Sequence, residues 1–142
     1  MADTYSGACF CGAVNFEVTG EPMLQGLCHC NDCRQWSGGP VTSYPLWQSG
    51  NVRVTGGEDK VVSYSKTGQA ERKHCGQCGG AVMTAIPAAG ITDVYPHLLK
   101  GFSFKPQAHV HYGVRVLDLD DGLPKFKDMP AEAGGSGKMV GQ

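Results

Sequence analysis

The sequence has few of the large apolar side chains from which most domains build a core. Leu, Ile, Val and Phe supply 28 of its 142 residues, which is below the roughly 20% at which chains are usually disordered. Disorder also requires a high net charge, whereas this chain has a formal net charge of −1. We therefore expect one folded domain in which covalent or metal crosslinks compensate for a thin core.

Three further absences exclude classes of protein. No apolar run approaches the roughly 18 residues of a membrane span, and the nearly balanced charge gives no electrostatic reason for nucleic-acid binding. The first seven residues lack the basic and apolar regions of a signal peptide. We expect a cytoplasmic protein with neither a membrane nor a nucleic acid as its partner.

Alternation of apolar and polar residues predicts a mostly β fold. Val14, Phe16 and Val18 alternate with polar residues, as in a half-buried strand. A longer alternation predicts a strand from residue 109 to 116, with His109 and His111 on one face. Shorter strands are predicted around Arg53 and at residues 41–47, 60–65, 80–86 and 91–95.

Helical periodicity is nearly absent. Only residues 31–37 predict a helix, with Asn31 or Asp32 as its N-cap and Gly38 ending it. The composition changes at Met129, so we predict one domain of residues 1–128 and a Gly-rich tail of residues 129–142, either mobile or laid over the surface.

The seven cysteines form three motifs, separated by 16 and 41 residues. An odd number of cysteines without an export signal favours metal binding or thiol chemistry over disulfides. A Cys-x-Cys pair places both sulfurs on one face of an extended chain, and a Cys-x-x-Cys pair followed by glycine is typical of a zinc turn. We assign Cys9, Cys11, Cys75 and Cys78 to one structural zinc.

That zinc would contribute roughly 10–16 kcal/mol of apparent binding energy, enough to offset the thin core. Glycines after each pair would let backbone N–H groups approach the sulfurs. Two alternatives stay open: buried cysteines acting as small apolar residues, and an iron–sulfur cluster.

The other three cysteines, Cys28, Cys30 and Cys33, leave one ligand position unfilled. Closed structural sites have four protein ligands, whereas sites that perform chemistry have three and keep a position for water or substrate. We predict a second zinc that receives a substrate thiol. The alternative is that a histidine closes the site, for which the chain offers His29, His74, His97, His109 and His111.

His29 itself is expected to point away from the two neighbouring sulfurs, because side chains alternate along an extended segment. It would then make a hydrogen bond elsewhere. His109 and His111 are interpreted either as the polar side of an edge strand or as the lining of a pocket.

These motifs resemble those of the glutathione-dependent formaldehyde-activating enzyme family, which includes centromere protein V. The resemblance runs over about residues 5 to 127 and departs from the family pattern at His74, where phenylalanine is common. The segments that carry it are Gly7-Ala-Cys-Phe-Cys-Gly-Ala-Val, Cys28-His-Cys-Asn-Asp-Cys-Arg, Cys75-Gly-Gln-Cys-Gly-Gly, His109-Val-His and Leu123-Pro-Lys-Phe.

The resemblance implies a β-tent fold of short antiparallel sheets, with one structural zinc and a second, labile zinc at Cys28, Cys30 and Cys33. It implies a carbon–sulfur lyase that condenses glutathione with formaldehyde to S-(hydroxymethyl)glutathione. Our leading hypothesis is therefore a cytoplasmic zinc enzyme that joins a thiol and a small aldehyde, with these three cysteines as its catalytic centre. The second hypothesis is a non-catalytic zinc module for partner binding or metal storage.

Overall fold

A computed structural model describes residues 2–141. Within them the chain is mostly β, with one short α-helix and several single turns of 3-10 helix. The strands and the helix are β1 (Thr4–Ala8), β2 (Asn15–Thr19), β3 (Leu24–Cys28), α1 (Asn31–Ser37), β4 (Thr42–Gln48), β5 (Val52–Gly56), β6 (Val61–Tyr64), β7 (Glu71–Cys75), β8 (Ala81–Ile86), β9 (Ile91–Val94) and β10 (His109–Val110).

Two compact units divide the chain. The first contains the residues up to 24 together with residues 45–104. It holds an antiparallel sheet of order β1-β2-β5 and the antiparallel succession β4-β9-β8-β7-β6. The second contains residues 25–44 and those from 105 onward, and there the short β10 lies parallel to β3.

The alternation in β2 fills the core of the first unit. Val14, Phe16 and Val18 are all buried, and Asn15 and Thr19 between and beyond them are exposed. Trp47 is fully buried in the same core and donates its indole N–H to the Gly20 carbonyl over 2.9 Å. The core is small, and two of the buried residues that complete it are cysteines.

Most predicted elements are confirmed. The strands expected around Phe16 and Arg53 are β2 and β5, and the four shorter ones are β4, β6, β8 and β9. The helix covers residues 31–37 as predicted and ends where Gly38 takes a left-handed conformation at φ 75°. Its N-cap is Cys30, not Asn31 or Asp32, because the Cys30 sulfur accepts the Cys33 N–H over 3.3 Å.

The strand predicted over residues 109–116 is wrong beyond its second residue. His111 adopts φ 54°, a left-handed conformation that ends the strand, and Tyr112–Val114 form a 3-10 turn. The two histidines therefore do not share a strand face: His109 is completely buried and His111 is partly exposed. The apolar Val114 is 46% exposed, because the alternation is broken before it.

The C-terminal segment folds back within the second unit. The Asp128 carboxylate accepts the backbone N–H groups of Met129 and Ser136, and Phe126 forms an antiparallel bridge with Met139. The boundary at residue 128 stays a prediction.

No helix in residues 2–141 is long and apolar enough to cross a membrane.

The close approach of Gly57 to the loop that follows the first cysteine pair can be tested by mutation. Gly57 has φ 71°, and a Cβ built there would lie 1.8 Å from the Ala13 carbonyl oxygen, whereas at Gly68, with φ 85°, nothing lies within 4 Å. Gly57→Ala should lower the free energy of unfolding clearly more than Gly68→Ala, which carries only the left-handed strain of about 1–2 kcal/mol. Chemical denaturation of both variants measures this, and equal losses would contradict the close approach.

Candidate metal centres

Four sulfurs from two distant motifs meet in the first unit. The Sγ atoms of Cys9, Cys11, Cys75 and Cys78 all lie within 4.8 Å of one another. Cys75 ends β7, and its sulfur is 3.8 Å from that of Cys11, although 64 residues separate them. The loop between β1 and β2 supplies one pair and the turn between β7 and β8 supplies the other.

Backbone N–H groups point at these sulfurs. Val14 donates to Cys9 over 3.3 Å and Gly80 donates to Cys78 over 3.3 Å. Gly79, at φ 80°, gives the second turn its left-handed residue. The Gly12 N–H donates to the Cys9 carbonyl over 3.0 Å and also approaches the Cys9 sulfur, where it helps to lower the pKa of that thiol.

These contacts shift the pKa values of the thiols in opposite directions. Burial acts to raise the pKa of Cys9, but the Val14 N–H and the neighbouring thiols lower it to about 6. For Cys11 the Ala13 N–H acts to lower the pKa, but desolvation and the neighbouring thiols raise it to about 11. The pKa of Cys78 is lowered, first by the Gly80 N–H, so Cys9 and Cys78 are the thiols for which thiolate, the form that binds metals, is favoured.

The spacing of the sulfurs fits a tetrahedral ion. Four sulfurs at metal–sulfur bonds of about 2.3 Å are separated from one another by about 3.8 Å. The measured separations are 3.7 Å for Cys9 to Cys11 and 3.8 Å for Cys11 to Cys75. The four residues could therefore hold a metal ion with little rearrangement.

A second cluster lies in the second unit, where β3 leads into α1. Cys28 ends the strand, Cys30 caps the helix and Cys33 lies in its first turn. Their three sulfurs lie within 4.8 Å of one another, and those of Cys28 and Cys33 are 3.7 Å apart. Interaction with the Cys28 and Cys33 thiols lowers the pKa of Cys30, while interaction with the Cys30 and Cys33 thiols raises the pKa of Cys28.

This cluster gains no fourth ligand from the described part of the chain. Residues 2–141 place no histidine nitrogen or carboxylate oxygen within the group of three sulfurs. As expected, His29 makes its hydrogen bond elsewhere: its Nε2 lies 2.8 Å from Nδ1 of His109. His74 bonds the Cys75 carbonyl in the first unit, and His97 stacks edge-on against Phe104 there.

One side chain holds the loop of the second cluster in place. Arg34 donates to the His29 carbonyl over 2.6 Å and to the Val114 carbonyl over 2.7 Å, and it also bonds the Asn31 side chain. Arg34 is thus a structural clamp, and its guanidinium already has three acceptors.

His111 was already a candidate ligand in the sequence, whereas Asp121 was not identified from it. His111 contributes to the lowered pKa of Cys30, after the larger effects of the Cys28 and Cys33 thiols. Asp121 accepts a hydrogen bond from Nε2 of buried His109 over 2.7 Å. No sequence signal marks Asp121, because its partner is 12 residues away and the intervening segment is irregular.

Comparison with known protein families gives a match over most of the chain. The profile of the glutathione-dependent formaldehyde-activating enzyme family matches residues 4–113, which is more than half of the chain. The protein belongs to this family.

Two individual proteins are similar to the chain. A Halomonas elongata protein, whose provisional name is glutathione-dependent formaldehyde-activating enzyme, is 30% identical over 87 residues, covering 57% of this chain and 55% of that protein. The chain thus matches about half the length of this curated relative. A crystal structure of a Rhodobacter sphaeroides protein matches with a TM-score of 0.57 at 24% identity, over 69% of this chain and 90% of that one. This second likeness shows a shared fold.

Removing one sulfur from each cluster should separate their roles. Cys75→Ser should unfold or strongly destabilise the protein, because a closed site loses one of its four ligands and with it much of the roughly 10–16 kcal/mol of metal binding. Cys30→Ser should remain folded and carry about half the metal. Mass spectrometry and thermal unfolding measure both, and equal unfolding of the two variants would show that the second cluster is structural as well.

Proposed function

We propose that the protein is a zinc-dependent carbon–sulfur lyase that joins a thiol, glutathione in the first instance, to formaldehyde. The observation that carries the proposal is the contrast between the clusters, four sulfurs in one and three in the other. A closed four-ligand site suits a structural metal, whereas a three-ligand site leaves a position for a substrate. Membership in the family supports the choice of thiol and aldehyde.

Zinc is the metal we propose for both clusters. All-sulfur donor sets favour zinc or iron–sulfur clusters over hard cations, and the sulfur separations near 3.8 Å suit single tetrahedral ions. At the second cluster a bound zinc would act as a Lewis acid that lowers the pKa of a substrate thiol.

The reaction itself needs a thiolate and a proton. The thiol sulfur forms a bond to the aldehyde carbon, the C=O π pair moves to oxygen, and the proton lost from sulfur ends on that oxygen to give a hydroxymethyl thioether. The protein's residues contribute by positioning. Arg34 holds the loop through the His29 carbonyl, and the Cys33 N–H fixes the sulfur of Cys30.

A rate comparison tests the activity. Formaldehyde and glutathione also combine without a catalyst, so the rate of S-(hydroxymethyl)glutathione formation has to be followed with and without protein, for example by exchange NMR. We expect acceleration that grows with zinc loading and falls to the uncatalysed rate in Cys30→Ser.

The matched control is Cys30→Ser itself, provided that it keeps the fold and the metal of the first cluster. If the wild-type protein gives no acceleration at any zinc loading, the glutathione–formaldehyde reaction is excluded. Zinc occupancy that glutathione does not perturb would then favour the non-catalytic module.

A further inference from the structure

A chain of hydrogen bonds runs from the surface of the second unit to the loop of the second cluster. Lys125 Nζ lies 3.1 Å from Asp121 Oδ1, Asp121 Oδ2 lies 2.7 Å from His109 Nε2, and His109 Nδ1 lies 2.8 Å from His29 Nε2. Both histidines are 0% exposed, while the Asp121 side chain is 34% exposed. Tyr112 packs edge-on against both imidazole rings.

When both histidine rings are neutral, the Asp121 carboxylate fixes the position of the proton on each of them. An ionised Asp121 can only accept, so Nε2 of His109 must carry a proton. In a neutral His109 the other nitrogen, Nδ1, is then bare and accepts from Nε2–H of His29. By the same logic Nδ1 of His29 carries no proton, and this buried atom has no hydrogen-bond partner in the described part of the chain.

The chain ends between two cluster residues. His29 lies between Cys28 and Cys30 in sequence, its backbone N–H donates to the Val110 carbonyl over 3.1 Å, and its carbonyl accepts from Arg34. The ring is the third anchor of this residue. It is the only one of the three that depends on the position of a proton, because each of the backbone bonds has a fixed donor and acceptor.

We propose that Asp121 is a positioning residue for the cluster of Cys28, Cys30 and Cys33, acting through His109 and His29, whose proton positions it fixes. This deepens the proposed function, since it rests on that cluster's holding a metal. Mutation of residues that hydrogen-bond to metal ligands and orient them typically changes the metal affinity 10- to 100-fold. Here Asp121 orients the loop that carries the sulfurs instead of a ligand directly.

The substitution Asp121→Asn is expected to reverse the proton positions on the rings of His109 and His29. Its amide oxygen would face the Lys125 ammonium, so its NH₂ group would face Nε2 of His109. That nitrogen must then be bare, Nδ1 of His109 must donate to Nε2 of His29, and Nδ1 of His29 gains a buried proton without an acceptor. The variant also loses a charge-assisted hydrogen bond, which is roughly twice as strong as a neutral one.

Nitrogen-15 NMR of the histidine rings reads these protons directly. In the wild-type protein we expect a protonated Nε2 and a bare Nδ1 on His29, and in Asp121→Asn the reverse. A protonated Nδ1 on His29 in neutral wild-type protein would overturn the proposal, even if no variant could be purified.

Metal titration supplies the second measurement, with cobalt(II) as the probe because its sulfur charge-transfer bands report ligation. We expect Asp121→Asn to weaken binding at the second cluster by about tenfold or more and to leave the first cluster unchanged. The first cluster therefore reports on the fold of the same molecule. The matched control is Asp120→Asn, since Asp120 is an exposed neighbour outside the chain of hydrogen bonds.

Neither measurement depends on turnover. If the protein fails to accelerate the thiol–aldehyde reaction but shows the reversed protons and the weakened second cluster, the positioning role stands and only the reaction is wrong. If Asp121→Asn binds cobalt at the second cluster as tightly as Asp120→Asn does, the positioning role is wrong whatever the activity.

Discussion

The convergence of four sulfurs in the first unit is the constraint on which its fold depends. Cys11 and Cys75 are 64 residues apart in sequence, yet their sulfurs lie 3.8 Å from each other. The pair that includes Cys75 belongs to the antiparallel succession of β6 to β9, and the other pair precedes β2. A metal ion there would tie both segments together, in a unit whose core contains few large apolar residues. Such a crosslink would compensate for the small number of leucine and isoleucine residues.

The second cluster differs because it is built from a single stretch of chain. Cys28, Cys30 and Cys33 lie within six residues, so closing the cluster orders only a short loop. Cys30 also caps the helix, so one sulfur serves both the local fold and the cluster. A metal site that crosslinks only a short loop does not need four protein ligands and can keep one ligand position open. In the positioning role that we propose for Asp121, buried hydrogen bonds from outside the loop supply the rigidity that the short stretch lacks.

The parts that could be predicted are those that local periodicity and spacing determine. Alternation located β2 and its buried Phe16, and cysteine spacing grouped all seven sulfurs correctly into two clusters. The prediction failed at His111, where one left-handed residue ended a strand that the alternation would have continued. The pairing of His29 with His109 spans 80 residues. It depends on the short parallel contact of β10 with β3, which leaves no periodic signal in the sequence.

We propose that the chain carries two metal sites of different kinds, one closed and one open to a thiol. Native mass spectrometry of the wild-type protein, with and without added glutathione, distinguishes these sites. We expect two zinc ions per chain and a complex with one glutathione that forms only when the second zinc is present. A single metal ion per chain, bound iron and sulfide, or glutathione binding that is independent of the second zinc would contradict it.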